Sequence, residues 1–390
     1  MTRFFSILKK ATTVANLIIS WPLFFLSCLF PRKQSLWVFI GWHRGHEMEV
    51  FADNTKYFFL HIRQHVPQIQ AVWLAKDEKL ASLLRARGYE AYDEHSLKGI
   101  WYALRAHITV IDAFLQRENF RWSGRSKIVQ LLHGRGMKKK AYGEPQIRQQ
   151  NHIFSTSIFT QESLSPIFTK GAQLHVTGFS RNDLFFHPVK DSDIGIDHEA
   201  KKHLETSRAN GKKTILYAPT FRRGQKTADL EKTFDLETLP TWLAARNIEL
   251  FISLHPKQRD QVRSLRLDHV HFIEDSDIYP LLPNFSGFIL DYSSLFSDIL
   301  LLDRPMIFYP YDLERYEATE GLSFPYGKYI PGPIIYTQKD LLEALERSLT
   351  HDTYASERER VRGIYHAYTD GQSSERIMAT VLREENIRIY

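Results

Sequence analysis

The chain has 390 residues, 43% of them hydrophobic and 13% aromatic, enough for two α/β cores and too apolar for wholesale disorder. Lys+Arg of 51 against Asp+Glu of 45 gives a net charge of +6, a mild excess that suits an anionic surface or substrate and is too scattered to argue for nucleic acid. A lone cysteine, Cys28, excludes an intramolecular disulfide and a cysteine zinc site.

Arg3, Lys9 and Lys10 precede an apolar run from Leu17 to Phe30, which Arg32 and Lys33 close. The run is shorter than the roughly 20 residues of a spanning helix and contains Pro22. No small-residue cleavage site follows. It reads as an interfacial or shallowly re-entrant anchor whose flanking cations meet lipid phosphates, so an anionic membrane surface is an expected partner; a true span and a helix buried against the protein stay open as alternatives.

From Ser35 onward, short apolar runs alternate with helical patterns. Strands are expected at Leu36–Ile40, Gln70–Leu74, His107–Asp112 and Lys127–His133, with helices at Asn54–Gln64 and Glu78–Arg87. A polar stretch from Asp191 to Asn210 looks like a join. A second series places strands at Thr214–Pro219, Glu249–His255, Val270–Ile273, Gly287–Asp291 and Pro305–Tyr309. Helix follows from Lys339. This alternation predicts parallel sheets covered on both faces. The expected divisions are 1–34 (membrane-associating segment), 35–187, 188–369, and 370–390 (a helix packing back on the first domain).

In such folds ligands gather at the carboxyl ends of strands, and the chemistry-bearing residues fall there. His133 follows an apolar run and precedes Gly134-Arg-Gly-Met-Lys-Lys-Lys140. A histidine so placed can take a proton from a hydroxyl, although a loop histidine capping backbone groups has the same surroundings. His255 ends a run in the second half. Thr220 and Arg222 can hold phosphate oxygens, or can simply decorate a turn set by Pro219. Arg181, Asn182 and Asp183 form a polar turn that either binds ligand or caps a helix. Asp291-Tyr-Ser-Ser294 leads from a strand into an apolar helix extending to Leu302. Its hydroxyls and helix N–H groups suit a pyrophosphate, and equally suit plain capping. The two Asp-Ser-Asp triplets, at Asp191–Asp193 and Asp275–Asp277, lack the further oxygen ligands of a metal site.

Taken in order, these motifs resemble the CDP-glycerol glycerophosphotransferase family of teichoic-acid, capsule and related polymer synthesis. The resemblance covers roughly residues 125–376. It rests on His133-Gly134, Gly178-x-x-Arg-Asn-Asp183, Ile215-Leu-Tyr-Ala-Pro-Thr220, His255, Asp291-Tyr-Ser-Ser294, Leu302-Asp-Arg-Pro-Met-Ile-Phe-Tyr309, Tyr311-Asp-Leu-Glu314, Pro331-Gly-Pro-Ile334 and Asp370-Gly-x-x-Ser-Glu-Arg376. It implies a GT-B-like α/β fold of two Rossmann-type domains facing across a cleft, with monotopic association at the cytoplasmic face of the membrane. It also implies transfer of glycerol phosphate from CDP-glycerol to a hydroxyl of a lipid-linked glycan acceptor, with release of CMP and no metal cofactor. His133 is then the base. His255, Thr220, Ser293 and Ser294 hold the pyrophosphate, and Ser374 and Arg376 assist from the last helix. Gly134, Arg181, Asn182, Asp183, Arg222 and Asp291 complete the expected substrate site. Arg135-Gly136, Ser180 and Glu320-Gly321-Leu322 depart from the family pattern, which leaves a CDP-ribitol donor open. A glycosyltransferase using a nucleotide sugar is the other alternative. The length points to a primer enzyme adding one or few units.

Overall fold

The computed structural model describes residues 20–41, 50–113, 120–134, 137, 150–164, 171–220, 222, 230–254, 265–274 and 276–388. His255, Arg135, Gly136 and Lys138–Lys140 lie outside the described residues, as do Leu17–Ile19 at the start of the apolar N-terminal run.

Two parallel sheets organise the chain. The first contains β1 (Lys33–Ile40), β2 (Gln70–Ala75), β3 (Ala91–Asp93), β4 (Ala106–Ile111), β5 (Lys127–Gln130), β6 (His152–Ser155) and β7 (Gln173–Val176), in the order β3-β2-β1-β4-β5-β6-β7. The second contains β8 (Lys213–Ala218), β9 (Ile248–Ser253), β10 (Val270–Ile273), β11 (Gly287–Leu290) and β12 (Met306–Phe308), in the order β10-β9-β8-β11-β12. Every paired strand runs parallel to its neighbours. Central strands read as continuous apolar runs, Trp37-Val-Phe-Ile40 and Ile215-Leu-Tyr-Ala218 among them, because helices cover both faces. In each sheet the strand order reverses once, between β1 and β4 and between β8 and β11. Ligand crevices form at such reversals.

Helices α1 (Asp53–His65), α2 (Glu78–Ala86) and α3 (Leu97–Arg105) connect the early strands, and α4 (Ile158–Leu164) lies between β6 and β7. The stretch expected to be a polar join instead contains α5 (His198–Ala209), capped by Asp197 and packed through Leu204 beneath the second sheet. Helices α6 (Leu239–Ala245), α7 (Leu295–Ile299), α8 (Leu313–Glu320), α9 (Gln338–Thr350), α10 (Ala355–Tyr365) and α11 (Ser373–Glu384) follow. The last of these returns to the first sheet, where Ile377 and Val381 share a core with Trp37, Phe58 and Trp73.

Several boundaries differ from expectation. The strand predicted through His133 stops at Gln130, because Leu132 turns to φ 62°. The strand predicted to end at His255 stops at Ser253. The helix predicted to run to Leu302 is α-helical only to Ile299, tightens to a 3₁₀ turn, and stops at Asp303 with φ 47°. Strands β3, β6 and β7 were not expected.

Residues 20–27 are helical. Phe24 stacks on Phe120 at 4.6 Å between ring centroids, while Phe25 and Leu29 stay 63% and 76% exposed. Arg32, expected on lipid phosphates, instead donates to the carbonyls of Ala103 (2.8 Å) and Ser27 (2.9 Å). It thereby stitches the end of this helix to α3. Among the described residues, no helix is long and apolar enough to cross a membrane.

Candidate active site

The second reversal point sits at the carboxyl ends of β8 and β11, where Thr220, Arg222 and Asp291 emerge. Asp291 is buried. Its carboxylate accepts from the Thr220 backbone N–H (3.0 Å to each oxygen), the Thr220 hydroxyl (2.6 Å) and the Arg222 guanidinium. Arg222 also forks onto Asp312, through Nε at 3.0 Å and Nη2 at 2.9 Å, and lies within 6 Å of the rings of Tyr292, Tyr311 and Tyr316. Burial alone would lower the Arg222 pKa; Asp291 and Asp312 reverse this and hold it far above the usual value. Thr220, Arg222 and Asp291 therefore saturate one another, forming a rigid floor. Beyond it Ser293 and Ser294 are half-exposed, with the Ser293 hydroxyl accepting from Leu295 N–H at 3.2 Å.

The turn that carries His133 follows β5 of the first sheet and approaches Ser294. The residues on either side of His133 adopt positive φ, 62° at Leu132 and 98° at Gly134. Such a turn persists only when its surroundings hold it, and three contacts do. Asn54 Nδ2 donates to the Leu132 carbonyl at 2.7 Å. Arg181 Nη1 donates to the His133 carbonyl at 3.0 Å. His133 Nδ1 lies 3.2 Å from the Asp112 carbonyl. A carbonyl can only accept, so Nδ1 carries a proton, and a neutral ring held this way has its lone pair on Nε2. A Cβ at Gly134 would stand 3.0 Å from Arg181 Nη2 and 3.7 Å from the Ser294 hydroxyl. The histidine turn and the start of α7 thus meet across this glycine. The Asp112 carboxyl is fully buried, and desolvation, reinforced by Asp53, pushes its pKa well up.

The segment Gly178-Phe-Ser-Arg-Asn-Asp183 is buried from Phe179 to Asp183. Arg181 is 2% exposed and spans the two sheets, with Nη1 on Asp53 and Nη2 on Asp298 at 2.6 Å. Asn182 adds a 3.0 Å bond to the other Asp298 oxygen, and Tyr279 donates to Asp298 at 2.7 Å. Asp183 accepts from the backbone N–H groups of Ser373 and Ser374, both at 2.8 Å, and so caps α11. Burial raises its pKa, against those bonds. Arg376 forks onto Asp370, at 2.8 Å through each terminal nitrogen, and donates from Nε to the Thr177 carbonyl at 2.9 Å. Ser374 and Arg376 therefore fasten α11 to the Gly178 turn. A second tether between the sheets runs from Lys56, fully buried, to Asp277 at 2.8 Å. Burial lowers the Lys56 pKa, and Asp277 opposes the shift. Asp191 accepts from Tyr89 at 2.6 Å and pairs with Arg87.

Sequence reasoning did not single out Asp53, Asn54, Asp112, Tyr279, Asp298 or Asp312. Asp298 carried a signal: it is the only charge in Leu295-Phe-Ser-Asp-Ile-Leu-Leu-Leu302, and an acid on an apolar face needs a buried partner.

Two parallel sheets that meet where a histidine turn approaches a serine-headed helix define a two-sheet α/β protein. Residues 24–383 match the family described as CDP-Glycerol:Poly(glycerophosphate) glycerophosphotransferase, and the chain belongs to that family. It is 32% identical over 208 residues to a teichoic acid ribitol-phosphate primase of Bacillus spizizenii, covering 53% of this chain and 52% of that protein. The chain thus spans about half the length of that relative. It is 26% identical over 380 residues to a teichoic acid glycerol-phosphate transferase of Staphylococcus aureus, covering 85% and 90% of the two chains. Its fold is similar to that of the wall teichoic acid polymerase TagF, with a TM-score of 0.72 at 18% identity over 92% of this chain and 91% of that one.

Proposed function

We propose that this chain transfers glycerol phosphate from CDP-glycerol to a hydroxyl of a lipid-linked glycan acceptor. The observation that carries the reading is the His133 turn, with Nδ1 anchored on Asp112 and the turn set against Ser294. The acceptor oxygen attacks the phosphorus bearing glycerol while His133 Nε2 takes its proton. The bond from that phosphorus to the bridging oxygen breaks, and CMP leaves with the electron pair. CMP is a stable anion at neutral pH, so a base and fixed donors on the pyrophosphate suffice, the base contributing roughly 10²–10⁴-fold. Ser293, Ser294 and His255 are the proposed pyrophosphate contacts; Thr220, expected among them, instead spends its N–H and hydroxyl on Asp291 in the floor beneath the serines. Two Rossmann-type domains facing across this cleft, in the GT-B manner, are the proposed architecture, and the reaction is proposed to need no metal.

Membrane contact at the cytoplasmic face is part of the same proposal. Exposed Phe25, Leu26 and Leu29 adjoin α3, which exposes Leu97 (89%) and Trp101 (52%) beside Lys98 and Arg105. Apolar anchors flanked by cations suit an anionic lipid surface.

The deciding assay is CMP release from CDP-glycerol in EDTA, with and without a synthetic lipid-linked acceptor. Acceptor-dependent CMP supports the reading. Turnover of nucleotide sugars alone would overturn it. The primase relative makes CDP-ribitol the second donor to test, and product length separates primer addition from polymerisation.

A further inference from the structure

Arg181 stands in the middle of the candidate site, yet its guanidinium faces protein groups. One terminal nitrogen donates to Asp53 and to the His133 carbonyl, and the other to Asp298. Its backbone N–H donates to the Asn54 side chain at 3.2 Å, and Asn54 in turn holds the Leu132 carbonyl. Phe179 and Tyr279 flank the guanidinium at 5.0 and 4.7 Å from their ring centres. Asp298 lies on α7, the helix that begins with Ser294. One planar cation therefore touches the main chain of the histidine turn and the body of the serine-headed helix. Asp53, at the start of α1, also takes φ 67°, a conformation that needs such a partner.

We infer that Arg181 is a positioning residue: it sets the distance between His133 and the start of α7, with Asp298 as its counterpart on the helix. This rests on His133 acting as the base. A guanidinium is suited to the task because its donors lie in one rigid plane and reach two partners at a fixed separation. Lysine, a point charge on a flexible stem, keeps the charge and loses the geometry. Substrate binding, by contrast, is left to groups that face the cleft.

The test compares wild type, Arg181→Lys and Asp298→Asn in the full chain. Arg181→Lys should lower kcat for CMP release by roughly tenfold or more, with the Kd for CDP-glycerol by calorimetry moving less than about threefold. The effect should nearly vanish when His133 is already alanine, because the arginine acts through it. A readout independent of turnover is the ring ¹⁵N spectrum of His133, assigned by its loss in His133→Ala. Wild type should show the Nδ1-protonated tautomer, and Arg181→Lys the ordinary mixture. Asp298→Asn, which keeps the shape of the side chain, should lower kcat in the same sense and serves where Arg181→Lys fails to fold. A Kd that rises in step with the loss of kcat/KM would make Arg181 a substrate ligand and overturn the inference. So would an unchanged His133 tautomer together with additive effects in the double variant. Wild type that shows the tautomer but releases no CMP would refute the proposed function and leave the positioning contact intact.

Discussion

Replacing Gly178 with alanine should be among the costliest single-methyl additions in this chain. Its φ of 89° disfavours any side chain, and the new Cβ would meet the Ser373 hydroxyl at 2.3 Å and Ser373 Cβ at 3.0 Å. The backbone conformation alone costs about 1 kcal/mol or more. Relief requires moving Ser373, the first residue of α11, whose N–H donates to Asp183 at 2.8 Å. Weakening that cap adds about 0.5–2 kcal/mol. The sum is about 1.5–3 kcal/mol, or a fall in Tm of about 3–12 °C for a domain of about 150–250 residues. Gly363 is the internal control. It lies in α10 with nothing within 4 Å of an added Cβ, so Gly363→Ala should stabilise by about 0.5–1 kcal/mol through helix propensity. Scanning calorimetry of both variants decides the matter. A Gly178→Ala protein melting with wild type would refute the claim that α11 seats directly on this turn.

His133→Ala should lower acceptor-dependent CMP release by roughly 10²–10⁴-fold, to a small but measurable rate, while leaving the melting transition unchanged; near-normal turnover would remove the base assignment. Arg222→Ala should destabilise by about 3 kcal/mol, because it leaves buried Asp291 without its cation and half-buried Asp312 with only the Tyr292 hydroxyl, and denaturant titration would read the loss. Glu249 accepts from Lys212 at 2.5 Å, from His271 at 2.7 Å and from His269 at 2.9 Å, and these bonds outweigh burial to bring its pKa down to about 2. A depressed carboxylate contributes stability that is complete above its unfolded value near 4.5 and is lost as pH falls toward 2. After discounting for solvent, Glu249→Gln should remove about 1–2 kcal/mol at pH 7 and flatten the acid limb of the stability curve. Phe25→Gln with Leu29→Gln should reduce sedimentation with vesicles containing anionic lipid; unaltered binding would move the contact to another surface.

The strands that sequence reasoning located are those buried on both faces, such as Trp37-Val-Phe-Ile40 and Gly287-Phe-Ile-Leu290. Strands β6 and β7 escaped because polar residues interrupt them. His152 and His175 lie 3.1 Å apart, and His152 also reaches Glu385 at 2.8 Å, so polarity that reads as loop is consumed inside the fold. The site shows the same division. His133, Asp291 and the Gly178 turn were visible because each follows or precedes an apolar run. Their partners were not, because the bonds that fix them join positions far apart: 128 residues from Arg181 to Asp53, 117 from Arg181 to Asp298 and 190 from Ser373 to Asp183. The residue types in Arg181-Asn-Asp183 announced a polar cluster. Which groups that cluster would satisfy was set only when the two sheets met.

The return of α11 to the first sheet has a consequence for how the chain is made. Ile377, Val381 and Ile387 complete the core around Trp37, Phe58 and Trp73. A ribosome adding about 5–20 residues per second needs roughly 10–40 s to travel from the end of the first sheet to these last apolar side chains. Throughout that interval the nascent first half carries an uncovered greasy socket. The final turns of helix act as its lid, so stalling or truncation shortly before Ile377 should yield a product that chaperones hold and proteases remove, although every strand is present.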